Sequence, residues 1–123
     1  APLSAAVFTY DEIINKNENN WKITFGQLYG YNLKGRERLN KAWYANSILK
    51  LVETTPAANL KKIRFYIDCG DDDFLIKGNC LLHLALTDKQ VPHEFRMQDG
   101  THNWTYWRAG ITNALQFIGD SFH

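Results

Sequence analysis

The 123-residue sequence lacks the features that mark several classes of protein. It has only two cysteines, Cys69 and Cys80, and three prolines, which are too few for a disulfide framework or a collagen-like chain. No apolar run approaches the roughly 20 residues that span a bilayer, and residues 1–4 lack the basic flank and apolar stretch of a secretory signal. We therefore expect two free, buried thiols and no membrane insertion, while the cellular compartment stays open.

The sequence also lacks an excess of charge of either sign. Its 14 Lys and Arg residues nearly balance its 13 Asp and Glu residues, which gives a net charge of +1. Nucleic-acid-binding surfaces usually concentrate Lys and Arg on one face, whereas the densest basic stretch here, residues 34–41, is typical of a solvated helix face. We expect no nucleic-acid partner. Apolar residues at 45% are enough for a packed core, which excludes a disordered chain.

The first half of the chain has few periodic patterns. Residues 3–8 form a short apolar run typical of a buried strand, and Thr9 to Glu12 has the form of a capping box that opens a short helix. The Asn-rich residues 15–20 predict a loop, and residues 21–40 show no period and are assigned no regular structure. Residues 40–53 predict one amphipathic helix.

The second half predicts the order strand, helix, strand, helix, over residues 63–67, 74–88, 91–97 and 103–121. The last helix carries an apolar stripe of Ile111, Leu115, Ile118 and Phe122. A helix of this length between two strands is a crossover connection, so the strands should be parallel neighbours. The fold class is therefore α/β, in a single domain.

Ligands of open parallel sheets bind beyond the carboxyl ends of the strands, and the loops over residues 68–73 and 100–107 follow two such ends. A carboxylate bound to one histidine nitrogen prepares the other nitrogen as a general base. Asp73 and His102 are the candidates for this pair. The alternatives are that Asp71 to Asp73 cap the following helix and that His102 is a turn residue.

Other residues near these loops allow further hypotheses. Trp104 and Trp107 either wall a substrate pocket or belong to the core. The three adjacent aspartates do not fit a calcium-binding loop, so we predict neither a metal nor a cofactor. A Gly-x-Ser-x-Gly turn, which presents a nucleophilic serine, is absent, and neither cysteine lies in an equivalent turn.

Residues 68–75 (DCGDDDFL) and 99–108 (DGTHNWTYWR) resemble the end of the esterase D-like branch of the α/β-hydrolases, which includes S-formylglutathione hydrolases, feruloyl esterases and mycolyltransferases. In that family a Gly-containing loop after a strand bears the acid of a Ser-His-Asp triad, and a Gly-x-His-x-Trp loop supplies the base. The resemblance implies that Asp73 is the acid, with Asp72 as the fallback, and that His102 is the base.

The resemblance covers the C-terminal half of the family and implies a partial α/β-hydrolase fold. Residues 1–60 correspond to a variable segment that shapes the substrate pocket, and residues 61–123 to a βαβα unit that carries the acid and the base. The nucleophile and the oxyanion hole lie earlier in family members, so we expect a truncated serine esterase that is inactive alone. Its substrate would be a small acyl or aryl ester.

Parallel sheets are normally covered on both faces. A sheet of only two or three parallel strands cannot be covered completely by this chain, so we expect one of its edges to be open. The expected partner is the missing N-terminal half or a second copy along that edge. The alternative functions are a non-catalytic α/β binding or assembly module and, more remotely, a metal-dependent hydrolase that uses the aspartate cluster.

Overall fold

The computed structural model describes residues 1–122, and for Ser121 the backbone alone. Two strands, β1 (Phe65–Gly70) and β2 (His93–Gln98), form a parallel sheet. The α-helices are α1 (Tyr10–Ile14), α2 (Glu18–Trp21), α3 (Gln27–Tyr29), α4 (Lys41–Asn46), α5 (Ile48–Thr54), α6 (Ala57–Leu60), α7 (Ile76–Asp88) and α8 (Trp104–Gly119). A π-helix spans Lys22–Gly26, and 3₁₀ helices span Gly35–Arg38 and Asp120–Phe122.

The sheet confirms the predicted parallel pairing of adjacent strands. Phe65 lies opposite His93, the register continues to Gly70 opposite Gln98, and α7 connects the two strands. Both carboxyl ends therefore reach the same edge of the sheet, which is the condition for bringing their loops together.

The N-terminal segment lies along the other side of β1 but does not continue as the strand predicted over residues 3–8. Leu3 forms an isolated parallel bridge with Asp68, and the Ser4 amide donates to the Asp68 carbonyl at 2.7 Å. Ser4 then adopts a left-handed backbone conformation, with a φ of 56°, which turns the chain away from the sheet.

Both faces of β1 are covered by this chain. Ile67 packs in a core with Leu82 and Leu86 of α7, while the alternate residues Tyr66 and Asp68 face α8. This double burial suits a parallel strand. The buried residues of α8 are Tyr106, Gly110 and Ala114. Its apolar stripe is exposed instead, at 43% for Ile111, 60% for Leu115 and 42% for Ile118.

The first half folds around a buried hydrophobic cluster of three aromatic residues, Trp21, Phe25 and Trp43, together with Ile13. Arg38 is buried against Trp21, with its guanidinium carbon 4.9 Å from the ring centroid. Its guanidinium also donates to the carbonyls of Leu33, Ile13 and Lys16. Because these groups come from separate segments of the chain, no periodic pattern in the sequence predicts the burial of Arg38.

The boundaries of the short helices correct several predictions. The Thr9 capping box is confirmed at the start of α1. Asn17 caps α2, so residues 18–20 of the predicted loop are helical. The prediction of no regular structure over residues 21–40 is wrong, because this stretch contains the π-helix, α3 and one 3₁₀ helix. The single helix predicted over 40–53 is broken at Ser47, whose extended backbone and side chain cap α5.

None of the helices in the described residues is long and apolar enough to cross a bilayer.

Candidate active site

The loops that follow β1 and β2 touch because two glycines meet there. A Cβ added to Gly70 would lie 2.2 Å from the Gly100 carbonyl oxygen, and Gly100 itself has a φ of +152° that other residues rarely adopt. The Asp72 amide donates to that carbonyl at 3.0 Å, and the Gly100 amide donates to Asp71 Oδ1 at 3.0 Å. These contacts hold the two loops against each other.

This contact places Asp73 beside His102. Asp73 Oδ2 lies 2.9 Å from His102 Nδ1, and Asp73 Oδ1 accepts from the Leu75 amide at 2.9 Å. The Asp73 side chain is fully buried, whereas that of His102 is 33% exposed. One carboxylate thus both closes a local turn and holds the histidine. The alternative that the aspartates cap α7 is wrong, because the N-cap of α7 is Leu75 and no side chain caps it. Asp72, the fallback acid, is exposed.

Hydrogen bonds keep the Asp73 carboxyl ionised and so set the direction of its bond to His102. Burial opposes ionisation of Asp73, but hydrogen bonds from Ser4, the Leu75 amide and His102 outweigh it and hold the pKa of this carboxyl below its ordinary value. An ionised carboxylate only accepts hydrogen bonds, so Nδ1 of His102 donates. In the neutral imidazole, Nε2 then carries the lone pair and is the atom able to accept a proton.

Aromatic rings flank His102. The Phe74 ring lies 4.7 Å from the imidazole centroid, and the Trp107 ring meets it edge to face at 4.8 Å. Trp104 packs edge to face on Trp107 at 5.3 Å and is 70% exposed, so it is not a core residue. Of the two tryptophans, Trp107 therefore lies against the histidine and Trp104 forms the outer surface.

Ser4 is a further component of this site, and no motif in the sequence pointed to it. Its Oγ accepts from Trp107 Nε1 at 3.0 Å, over a separation of 103 residues, and its hydroxyl contributes to the lowered pKa of Asp73. No local sequence pattern predicts this contact, because residues 4, 73 and 107 come together only when the sheet forms.

Asp68, predicted in the loop after the first strand, lies within β1 and ties α8 to the sheet. It is 2% exposed and accepts hydrogen bonds from the hydroxyls of Tyr66, at 3.0 Å, and Tyr106. Burial and these bonds to Asp68 raise the pKa of Tyr66 to about 12, so the phenol stays protonated as a donor. The start of α8, which follows His102, is thereby anchored.

The remaining aspartates lie apart from this pair. Asp71, Asp72 and Asp99 are exposed, with oxygen atoms within 4.8 Å of one another, and one oxygen of Asp71 already accepts from Gly100. Exposed acidic groups of this kind are common without a bound ion. The absence of a metal or cofactor stays a prediction.

Among the described hydroxyl and thiol groups, Ser4, Ser47 and Cys69 do not have the setting of an activated nucleophile. Ser4 is 7% exposed and hydrogen-bonded, and Ser47 caps α5. Cys69 and Cys80 are free thiols, of which Cys69 is buried and Cys80 partly buried. Burial, with the nearby charge of Asp73, raises the pKa of Cys69 to about 12, so it is not a thiolate at neutral pH.

Comparisons with known proteins connect this site to esterases. None of the protein-family models matches the chain. An acetyl esterase of Caldicellulosiruptor saccharolyticus is 31% identical over 55 residues, which cover 45% of this chain and 21% of that protein. The solved structure of a ferulic acid esterase aligns with a TM-score of 0.61 and 36% identity, over 64% of this chain and 31% of that chain.

The chain thus spans less than a third of either relative. Both similarities nevertheless agree with the one drawn from the two loops, and the ferulic acid esterase structure confirms the partial α/β fold. The predicted resemblance is confirmed at this level: the chain is similar to part of an esterase with an α/β-hydrolase type of fold.

Proposed function

We propose that this chain is the C-terminal segment of a serine carboxylesterase of the esterase D-like branch, which hydrolyses small acyl or aryl esters. The observation that carries the proposal is the 2.9 Å contact between buried Asp73 and partly exposed His102 at the carboxyl ends of parallel strands. In this role Asp73 is the acid of a Ser-His-Asp triad and His102 is its base.

The chemistry follows from the protonation of the pair. His102 Nε2 takes the proton of a serine hydroxyl as that oxygen attacks the ester carbonyl, and then gives it to the departing alcohol. A water molecule then attacks the acyl-enzyme, again giving its proton to His102 Nε2. The carboxylic acid leaves, and His102 returns the proton to the serine. Asp73 keeps the proton of neutral His102 on Nδ1 and stabilises the imidazolium that forms.

We place the serine and the oxyanion hole in sequence outside this chain. The buried, hydrogen-bonded Ser4, the capping Ser47 and the neutral thiol of Cys69 support this placement. It follows that the isolated chain should not turn over esters. Trp104, exposed beside Trp107, is proposed to line the substrate pocket next to His102.

The proposed partner is the rest of an esterase domain, added along the sheet edge outside Pro2 and Leu3. β2 pairs with one side of β1 and the N-terminal segment with the other, so a further strand would join next to Leu3. Sedimentation of the isolated chain tests this arrangement. A monomer agrees with it, whereas a dimer that Leu3→Lys dissolves would favour a second copy at this edge.

The catalytic proposal is tested with p-nitrophenyl acetate, on the longer coding product that contains this chain and on the chain alone. His102→Ala and Asp73→Asn should each lower kcat of the longer protein by roughly 10³–10⁴-fold. Asp72→Asn is the matched control, because it removes a neighbouring exposed carboxylate, and should leave kcat within about twofold.

Two results would contradict this assignment. Full activity of His102→Ala in the longer protein would remove His102 from the reaction and favour a binding or assembly module. Turnover by the isolated chain that His102→Ala abolishes would place the nucleophile within these residues instead.

A further inference from the structure

We propose that Phe74 is a specificity residue, whose exposed ring contacts the alcohol part of the ester and favours substrates with a flat, apolar alcohol group. This inference rests on the proposed function, since it requires His102 to give a proton to the departing alcohol. The aromatic surface beside His102 is thereby assigned to the alcohol side of the substrate and not to its acyl side.

Phe74 lies between two buried residues and is itself exposed. The Asp73 side chain is fully buried and Leu75 is 4% exposed, whereas Phe74 is 67% exposed. The chain turns at this point, because Asp73 Oδ1 accepts from the Leu75 amide at 2.9 Å. The Phe74 ring therefore stays out of the core and lies against the imidazole of His102, with 4.7 Å between the ring centroids.

Four rings form a continuous surface that includes the base. The centroid of His102 lies 4.7 Å from that of Phe74 and 4.8 Å from that of Trp107. Trp104 continues the row at 5.3 Å from Trp107 and is 70% exposed. Exposed aromatic side chains that are grouped in this way are typical of ligand-binding surfaces, whereas a single exposed ring is common on any protein.

The polar side chains that flank His102 in the sequence are already hydrogen-bonded. Asn103 Oδ1 accepts from the Tyr106 amide at 3.0 Å, and Asn103 Nδ2 donates to Thr101 Oγ1 at 2.6 Å. In this chain, the surface that borders the imidazole is therefore mainly aromatic carbon. Such a surface suits an apolar group better than a charged one.

The chemistry of the base assigns this surface to the alcohol side. His102 Nε2 gives its proton to the departing alcohol oxygen, and this transfer needs the two atoms to be about 2.6–3.2 Å apart. The carbon group bonded to that oxygen then lies beside the imidazole, next to the rings that border it. The acyl carbon is bonded instead to the serine, which we place outside this chain.

The first test uses the isolated chain and needs no catalytic activity. The carbon-bound proton signals of the His102 imidazole are measured by NMR at one fixed pH in the wild type, Phe74→Leu and Phe122→Leu. Phe122 is the matched control, because it is 81% exposed and lies beyond the far end of α8, which is roughly 24 Å long. Loss of the Phe74 ring should shift the His102 signals, and the control should leave them in place. Unshifted signals in Phe74→Leu would show that the ring does not border the base, which overturns the proposal.

The second test uses the longer protein and three esters. Benzyl acetate and methyl acetate share their acyl group, while benzyl acetate and benzyl butyrate share their alcohol. The ratio kcat/KM is compared, because it reports the acylation step, in which the alcohol leaves. Phe74→Ala should lower kcat/KM about 10-fold for both benzyl esters and less than about twofold for methyl acetate. Phe122→Ala should leave all three values unchanged.

If far-UV circular dichroism shows that Phe74→Ala does not fold, Phe74→Leu decides, because it keeps an apolar side chain and removes only the ring. The loss on the benzyl esters should then be smaller, about threefold, and methyl acetate should again be spared.

Three results would contradict these assignments. Equal losses for benzyl acetate and methyl acetate would mean that Phe74 packs against the rest of the domain, and would overturn the proposal. A loss confined to benzyl butyrate would place the ring on the acyl side and would overturn it as well. If instead His102→Ala keeps full activity, the proposed function fails, whatever the ratio between the esters.

Discussion

Gly70→Ala is the substitution that tests most directly how the two loops are held together. The added Cβ would lie 2.2 Å from the Gly100 oxygen and 2.6 Å from its carbonyl carbon. Carbon and oxygen atoms normally approach to about 3.3–3.6 Å, so the Gly100 peptide would have to move by about 1 Å. His102 follows two residues later, and an equal displacement would break its 2.9 Å bond to Asp73.

The expected cost follows from the contacts that this movement disrupts. Overpacking costs about 1–3 kcal/mol, and the two hydrogen bonds that Gly100 makes with Asp72 and Asp71 contribute about 0.5–1.5 kcal/mol each. The lower entropy of unfolded alanine offsets about 0.5–1 kcal/mol. The net loss in the free energy of unfolding is then about 3 kcal/mol.

Urea unfolding followed by tryptophan fluorescence measures this loss. The matched control is Gly119→Ala, where an added Cβ meets nothing within 4 Å and the helical backbone favours alanine by up to about 1 kcal/mol. If Gly70→Ala unfolds within about 0.5 kcal/mol of the wild type, the loops do not approach as closely as described and the reasoning is refuted.

Three further predictions concern buried polar groups. The pKa of Asp73 in the folded chain is below its ordinary value of about 3.9, so its stabilisation is present above that value and is lost as the pH falls through the folded value. Asp73→Asn should therefore flatten the acid end of a plot of unfolding free energy against pH, and an unaltered slope would contradict this. Arg38→Met should lower the free energy of unfolding by about 3 kcal/mol, because four carbonyl groups lose a buried charged donor. A loss below about 1 kcal/mol in urea would show that water replaces this donor. Cys69, whose pKa burial raises to about 12, should react with iodoacetamide at pH 8 at least about 100-fold more slowly in the folded chain than in urea. Peptide mapping by mass spectrometry measures both rates, and equal rates would mean that the thiol is accessible.

Features that depend on neighbouring residues could be predicted from the sequence. The Thr9 capping box spans four residues and was identified correctly. The strand and helix patterns of the second half have short periods, and they predicted the parallel order and the position of both site loops to within a few residues. Since the carboxyl ends of parallel strands share one edge, this local information was enough to name Asp73 and His102 as a candidate pair.

Features that depend on distant contacts were decided by the tertiary structure. Asp73 and His102 are 29 residues apart, and their contact depends on the strand register and on the meeting of Gly70 with Gly100. The hydrogen bond of Ser4 with Trp107 crosses 103 residues, which no periodic pattern can express. The short helices around Arg38 form for the same reason, because the groups that satisfy and bury this charge are supplied by other segments of the chain.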